Sequence, residues 1–163
     1  MSQQVQSLSP VDTLNLGKQL GRILKGGDII CLIGDLGAGK TVLAKGIGEA
    51  LGIEEPMTSP TFTFMQEYSG FAQGVPIRLI HMDLYRLKHP EEVEVIGVED
   101  AFQEDSICLI EWPEIARDYL PEDRLEVWLE GSGEEPRNLT FQSSSKAWEE
   151  RFKALGVFSR LGL

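Results

Sequence analysis

The chain carries little that would point to secretion, to a membrane or to direct contact with nucleic acid. It has only two cysteines, Cys31 and Cys108, and both lie inside apolar runs. Thiols so placed make poor disulfide or metal candidates and read as small buried hydrophobes of a reducing compartment. The opening "MSQQVQSLSP" lacks a basic segment followed by an apolar one, so no secretory signal is expected. No apolar run is long enough to make a membrane-spanning helix, and the cytoplasm is the expected location. His81 and His89 stand at no metal-ligand spacing with either cysteine, which argues against zinc. Basic residues are also scarce. Fifteen Lys and Arg face 26 Asp and Glu, a net charge of -11, and no basic cluster offsets it. The average field therefore repels nucleic acid, and any RNA target would have to be held by a partner.

What is present fits one domain over residues 1–163 with a single sizeable core. "SPVDTLNLGKQLGRILKGG" reads as a helix with Ser9 as N-cap, Pro10 in its first turn and Gly26-Gly27 at its end. Its rough apolar stripe is Val11, Leu14, Leu20, Ile23 and Leu24. "DIICLIG" reads as a strand covered on both faces, and "KTVLAKGIGEALG" as a helix that Gly46 and Gly48 weaken by about 1 kcal/mol each relative to Ala. "TFTFMQEY" alternates, which would put Phe62, Phe64 and Tyr68 on one face. A longish loop from Ser69 to Gly74 would join it to the strand "VPIRLIHMDLY". "HPEEVEVIGVEDAF" reads as a helix, "SICLIEW" as a buried strand stopped by Pro113, and "RLEVWLEGSGEEPRNLTF" as an antiparallel hairpin. "SKAWEERFKALG" closes the chain as an amphipathic helix. Strands interleaved with helices give an α/β fold: a mostly parallel central sheet flanked by helices, with antiparallel edge strands.

Between the first buried strand and the helix after it stands "GDLGAGKT", which fits G-x-x-x-x-G-K-[ST] at every fixed position and in the strand–loop–helix context that the motif requires. This defines a P-loop NTPase fold. The backbone of Asp35, Leu36, Gly37, Ala38 and Gly39 would wrap a polyphosphate, with Gly37 and Gly39 letting N–H groups turn inward. The following helix N-terminus adds partial positive charge. Lys40 can reach the β- and γ-phosphates, and the Thr41 hydroxyl is placed to ligate Mg²⁺. The cofactors expected are ATP and Mg²⁺. An acidic surface does not forbid them, because beyond a Debye length of about 8–10 Å its charge is largely screened.

Such a loop needs carboxylates at neighbouring strand ends, to hold the metal or its water and to orient the nucleophile. Asp83 in "LIHMDLYRL" and Glu111 in "ICLIEWPE" both end apolar runs. Glu111 is the expected metal partner, directly or through water, and Asp83 would polarise water or read the γ-phosphate. In "SPTFTF", Thr61 or Thr63 could sense the γ-phosphate, or the stretch could be a plain strand with Thr outward. Trp112 reads as core packing ahead of an exposed contact, and Arg86 and Arg137 as phosphate contacts or ordinary surface groups.

The sequence has no N-K-x-D string for guanine, no L-S-G-G-Q string of an ABC-type ATPase, and no Arg-dense segment that would make a kinase lid. A small ATPase is the first reading. A small-molecule phosphotransferase and a non-hydrolysing nucleotide-gated binding module are the alternatives.

In order along the chain, "GDLGAGKT", "SPTFTF", "HMDLYRL", "EEVEVIGVEDAF" and "ICLIEWPE" resemble the TsaE (YjeE) family of bacterial P-loop ATPases. The resemblance runs from about Leu14 to Leu129, and HxDLYRL followed by EWP is far more specific than the loop alone. It implies a role in making the N6-threonylcarbamoyladenosine of tRNA. In that family the carbamoyl transfer belongs to TsaD paired with TsaB, using threonylcarbamoyl-AMP made by TsaC, and ATP hydrolysis by the TsaE-like subunit resets the TsaB–TsaD complex. TsaD and TsaB are thus the implied partners, with tRNA reached only through them. By the same resemblance Lys40 and Thr41 bind phosphate and Mg²⁺, Glu111 assists the metal, Asp83 is needed for hydrolysis, and Thr13 lies close to the adenine. Arg137 lies past the closely matching stretch, and its nucleotide contact is carried over from the looser part.

Overall fold

In the computed structural model, which describes residues 2–58 and 64–155, the first element is one the residue pattern did not foretell: Ser2–Ser7 forms strand β1. Only Val5 and Ser7 are buried in it, too weak an apolar signal to read as a strand. Helix α1 (Pro10–Ile23) has Ser9 as its N-cap, accepting from the Asp12 N–H at 3.2 Å. It stops before the Gly26-Gly27 pair, because Leu24 is already extended and Gln73 Nε2 donates to the last carbonyls, those of Ile23 and Leu24. Thr13, Leu16, Gly17, Leu20 and Gly21 face inward, whereas Val11 is exposed.

Strand β2 (Ile29–Ile33), helix α2 (Lys40–Ala50) and strands β3 (Met65–Ala72) and β4 (Val75–Asp83) follow. The β3–β4 connection is not a long loop. It is the two-residue turn Gln73-Gly74, with φ of 51° and 81°, the left-handed pair that matches the twist of a tight hairpin. Phe64 stands before β3 at φ 62° and packs on the opposite side of the sheet from Tyr68, so the expected shared face is broken. Thr61, Phe62 and Thr63 lie outside the described residues. The stretch read as one helix from His89 to Phe102 is two pieces, helix α3 (Glu91–Val95) and a 3-10 turn (Val98–Ala101), divided by Gly97 at φ 76°. Strand β5 (Ser106–Glu111) is buried along its whole length and gives way to a 3-10 segment (Pro113–Tyr119). Strands β6 (Leu125–Glu130) and β7 (Arg137–Gln142) form the expected hairpin, and helix α4 (Lys146–Leu155) follows.

Among the described residues the strands form one seven-stranded sheet in the order β1-β7-β6-β2-β5-β4-β3. The central run β6-β2-β5-β4 is parallel, and β3, β7 and β1 pair antiparallel at the two sides. This is the α/β architecture expected. Leu16, Leu20, Leu43, Ile47 and Trp148 cover one face of the sheet, and Val93, Val98, Ala116 and Leu120 cover the other. Cys31 and Cys108 are buried on that second face, where burial pushes each thiol up to about 12 and keeps it inert. The start of β2 is tied to α4 by a bidentate pair, Arg151 Nη1 and Nη2 donating to Asp28 at 2.7 and 2.8 Å, with the guanidinium stacked 4.1 Å over Trp148.

The helix glycines have a reason that local propensity hides. A Cβ on Gly46 would lie 2.2 Å from the Leu14 carbonyl oxygen, and one on Gly17 2.3 Å from that of Leu43. Helices α1 and α2 therefore meet backbone to backbone. Gly48 is likewise filled against, by Met57 Sδ at 2.2 Å from its would-be Cβ. Gly46→Ala is expected to destabilise the protein, since overpacking costs about 1–3 kcal/mol and exceeds the roughly 1 kcal/mol gained in helix propensity. Thermal melting checks this. An unchanged or raised Tm would mean that α1 and α2 can part at no cost.

Candidate nucleotide-binding site

The C-terminal ends of the parallel strands carry the candidate site, the usual place for ligands in open α/β sheets. Strand β2 runs straight into the loop at Gly34, where a Cβ would meet the Leu129 carbonyl oxygen at 2.6 Å. Gly37 (φ 81°) and Gly39 (φ 106°) take left-handed conformations, the kind of backbone from which anion-binding nests of N–H groups are built. Gly39 caps α2 without a side-chain cap bond, and among the described residues the positive end of the helix is left open to an anion. Asp35, Leu36 and Thr41 are exposed, while Ala38 is buried beneath the loop.

Lys40 is tucked in. It is only 5% exposed, its Nζ donates to the Gly34 carbonyl at 2.7 Å, and it lies 3.6 Å from the centre of the Trp112 ring. Burial pushes its pKa down, against the pull of Glu111 and Asp83. Trp112 is half-buried rather than part of the core. It adopts φ 55° and ψ 56°, an uncommon conformation for a large side chain, and its ring lies between Lys40 and Tyr85, 4.8 Å from the latter's centroid.

Strand register brings the two carboxylates together. Asp83 pairs with Glu111 across β4–β5, and Glu111 with Leu32 across β2–β5, so both stand beside the start of the loop. Asp83 is half-buried and its Oδ1 accepts from the Tyr85 N–H at 3.0 Å. Burial raises its pKa, the Tyr85 N–H opposes that, and the charge of Glu111 adds to it. Glu111 is buried, and its Oε2 lies 2.6 Å from His81 Nε2, also buried. This histidine was not singled out from the sequence. The signal was there, because strand alternation puts His81 and Asp83 two residues apart on one face.

On the other side of the loop a cleft of about 370 Å³ is lined by Leu8, Pro10, Thr13, Val42 and Arg137, with Gly37 and Gly39 in its wall. Its volume lies in the range that holds a small organic ligand. Thr13 lines this cleft, with Oγ1 2.7 Å from Ser7 Oγ. Arg137 borders the cleft but spends its guanidinium on loop carbonyls: Nη2 donates to Gly37 at 3.1 Å and to Gly133 at 3.0 Å, pinning the β6–β7 turn to the P-loop. Arg86 is exposed. Lys40, Asp83 and Glu111 are thus brought together on one side of the loop, and Thr13 and Arg137 on the other.

Fold and loop together define a P-loop protein of the α/β class. A family model for "Threonylcarbamoyl adenosine biosynthesis protein TsaE" matches residues 7–139. The chain is 37% identical over 144 residues to the tRNA threonylcarbamoyladenosine biosynthesis protein TsaE of Bacillus subtilis, covering 88% of this chain and 87% of that one. It is 46% identical over 121 residues to the TsaE of Nostoc sp., covering 72% and 71%. The crystal structure of Bacillus subtilis YdiB superposes with a TM-score of 0.75 at 31% identity, over 96% of this chain and 95% of that one. The chain belongs to the TsaE family, whose members serve tRNA threonylcarbamoyladenosine biosynthesis.

Proposed function

We propose that this chain is the ATPase subunit of cytoplasmic tRNA N6-threonylcarbamoyladenosine synthesis and that its hydrolysis of ATP resets a TsaB–TsaD complex between turnovers. The observation that carries the reading is the register of Asp83 against Glu111 beside the Lys40 loop, with a nucleoside-sized cleft across that loop. The residues fit ATP with Mg²⁺. Two left-handed glycines and an open helix N-terminus make an anion cradle. Mg²⁺ takes one or two protein ligands and completes its shell with phosphate and water. Thr41 and Glu111 would hold it, and bound there it would neutralise charge on the β- and γ-phosphates. Lys40 would leave Gly34 and Trp112 for phosphate, Asp83 would orient water, and Thr13 and Arg137 would border the base and sugar.

The same geometry supports a slow subunit. Arg137 is committed to loop carbonyls on the side of the loop away from Lys40. A group supplied in trans can contribute on the order of 10³–10⁵ in rate, about 4–7 kcal/mol of barrier. With a net charge of -11, the chain is also better suited to leave tRNA to its partners. Phosphate release from ATP, measured with and without TsaB–TsaD, tests the proposal. Stimulation by the complex is expected, and equal rates in both conditions would contradict resetting. Label from the γ-phosphate appearing on an organic acceptor would favour a phosphotransferase instead.

A further inference from the structure

We infer that His81 is a positioning residue: its Nε2–H holds Oε2 of Glu111 and thereby sets the direction in which that carboxylate faces the P-loop. The inference rests on reading Glu111 as a carboxylate of ATP hydrolysis and adds the group that orients it. Three observations carry it. The contact is short, 2.6 Å, between side chains that are 2% and 4% exposed, so water does not compete for it. His81 sits on β4 between Leu109 of β5 and Gln66 of β3, on the sheet face it shares along its strand with Leu79 and Asp83, and it is buried there. An imidazole there carries a desolvation cost that an apolar side chain would avoid. Among the described residues its buried Nδ1 has no hydrogen-bond partner, and the bond to Glu111 is the one polar contact found for this ring.

The chemistry assigns the hydrogen. A carboxylate offers only acceptors, so Nε2 carries the hydrogen and donates to Oε2 of Glu111. A glutamate has three rotatable side-chain bonds, and at a strand end bordering an open site it would sample several directions. Fixing one carboxylate oxygen against the sheet removes that freedom before nucleotide arrives, as the outer partners of metal-binding groups do elsewhere. His81 touches neither nucleotide nor water in this account and acts only through Glu111.

Three variants separate positioning from packing. His81→Gln places an amide N–H near the position of Nε2, His81→Asn places one near Nδ1, and His81→Phe fills the space without a donor. Each is measured for kcat of phosphate release, under conditions where the unmodified protein turns over, and for affinity toward a non-hydrolysable ATP analogue. His81→Asn and His81→Phe are expected to lose about 10–100-fold in kcat with analogue affinity kept, and His81→Gln to retain most of the turnover. Equal loss in Gln and Asn, no loss in any variant, or a loss that appears in affinity rather than kcat would overturn the inference. Glu111→Gln in the same assay tells the two failures apart. Turnover that survives Glu111→Gln sinks the hydrolysis reading itself, whereas sensitivity at Glu111 with none at His81 sinks only the role given to His81.

Discussion

Asp83→Asn is expected to cut ATP turnover by about 10²–10⁴-fold, the range for removing a positioned base, while making the nucleotide-free protein more stable. The second half follows from the environment of the carboxylate. Burial raises the folded-state pKa of Asp83 above its ordinary 3.8, with Glu111 adding to the rise. The folded protein then binds this proton more tightly than the unfolded chain does. Stability therefore falls as pH rises from about 3.8 through the raised value, and at neutral pH the charged carboxylate is a standing penalty. Asparagine removes the charge yet keeps an oxygen to accept the Tyr85 N–H. Melting curves of the two proteins should coincide near pH 3 and separate on the alkaline side, with the variant higher. A variant that melts lower at pH 7, or one that keeps full turnover, would show that Asp83 is an ordinary strand-end acid.

Lys40→Ala is expected to abolish both nucleotide-dependent stabilisation and any partner-stimulated phosphate release. A ligand at 100 times its Kd stabilises by about 2.7 kcal/mol, and at about 2–4 °C per kcal/mol this gives the unmodified protein a Tm gain of roughly 5–11 °C. The alanine variant should show almost none of it. Without nucleotide, the variant should not melt much lower. Lys40 is buried against Gly34 and Trp112 with its pKa pushed down by that burial, so its positive charge is itself a cost to the empty protein at neutral pH. Its stability contribution rises with pH as the ammonium loses its proton in the folded state first. Thermal shift with and without ATP·Mg reads both effects. A nucleotide-dependent gain that survives in Lys40→Ala would place the phosphates somewhere other than this loop.

Both variants address an apparent conflict between a strongly acidic chain and an anion cradle. The site resolves it at short range. In the proposed function the open N-terminus of α2 and the loop amides would attract phosphate within a few ångströms, with Lys40 beside them. Acidic residues farther away than a Debye length are largely screened at the loop. They do discourage a polyanion as large as tRNA, in keeping with an indirect role in its modification.

The phosphate loop was legible because its chemistry is contiguous. Eight consecutive residues, with a strand before and a helix after, carry all the information that the cradle needs. Asp83 and Glu111 were legible for a related reason, each being the single carboxylate that ends an apolar run. A mostly parallel sheet with antiparallel edge strands followed from strands interleaved with helices, but the strand order did not. What tertiary structure alone decided lies between residues far apart in the chain. His81 meets Glu111 thirty positions away only because β4 and β5 pair in one register, and a one-residue slip would turn it to the other face. Arg137 reaches Gly37 across a hundred positions and becomes a brace for the loop. Gly17 and Gly46 look like flaws in two helices until those helices cross backbone to backbone. Strand β1, with one buried apolar residue, exists because β7 offers it an edge. Local pattern records the preferences of neighbouring residues, while register, edge pairing and helix crossing are properties of the packed sheet and belong to no short stretch of the chain.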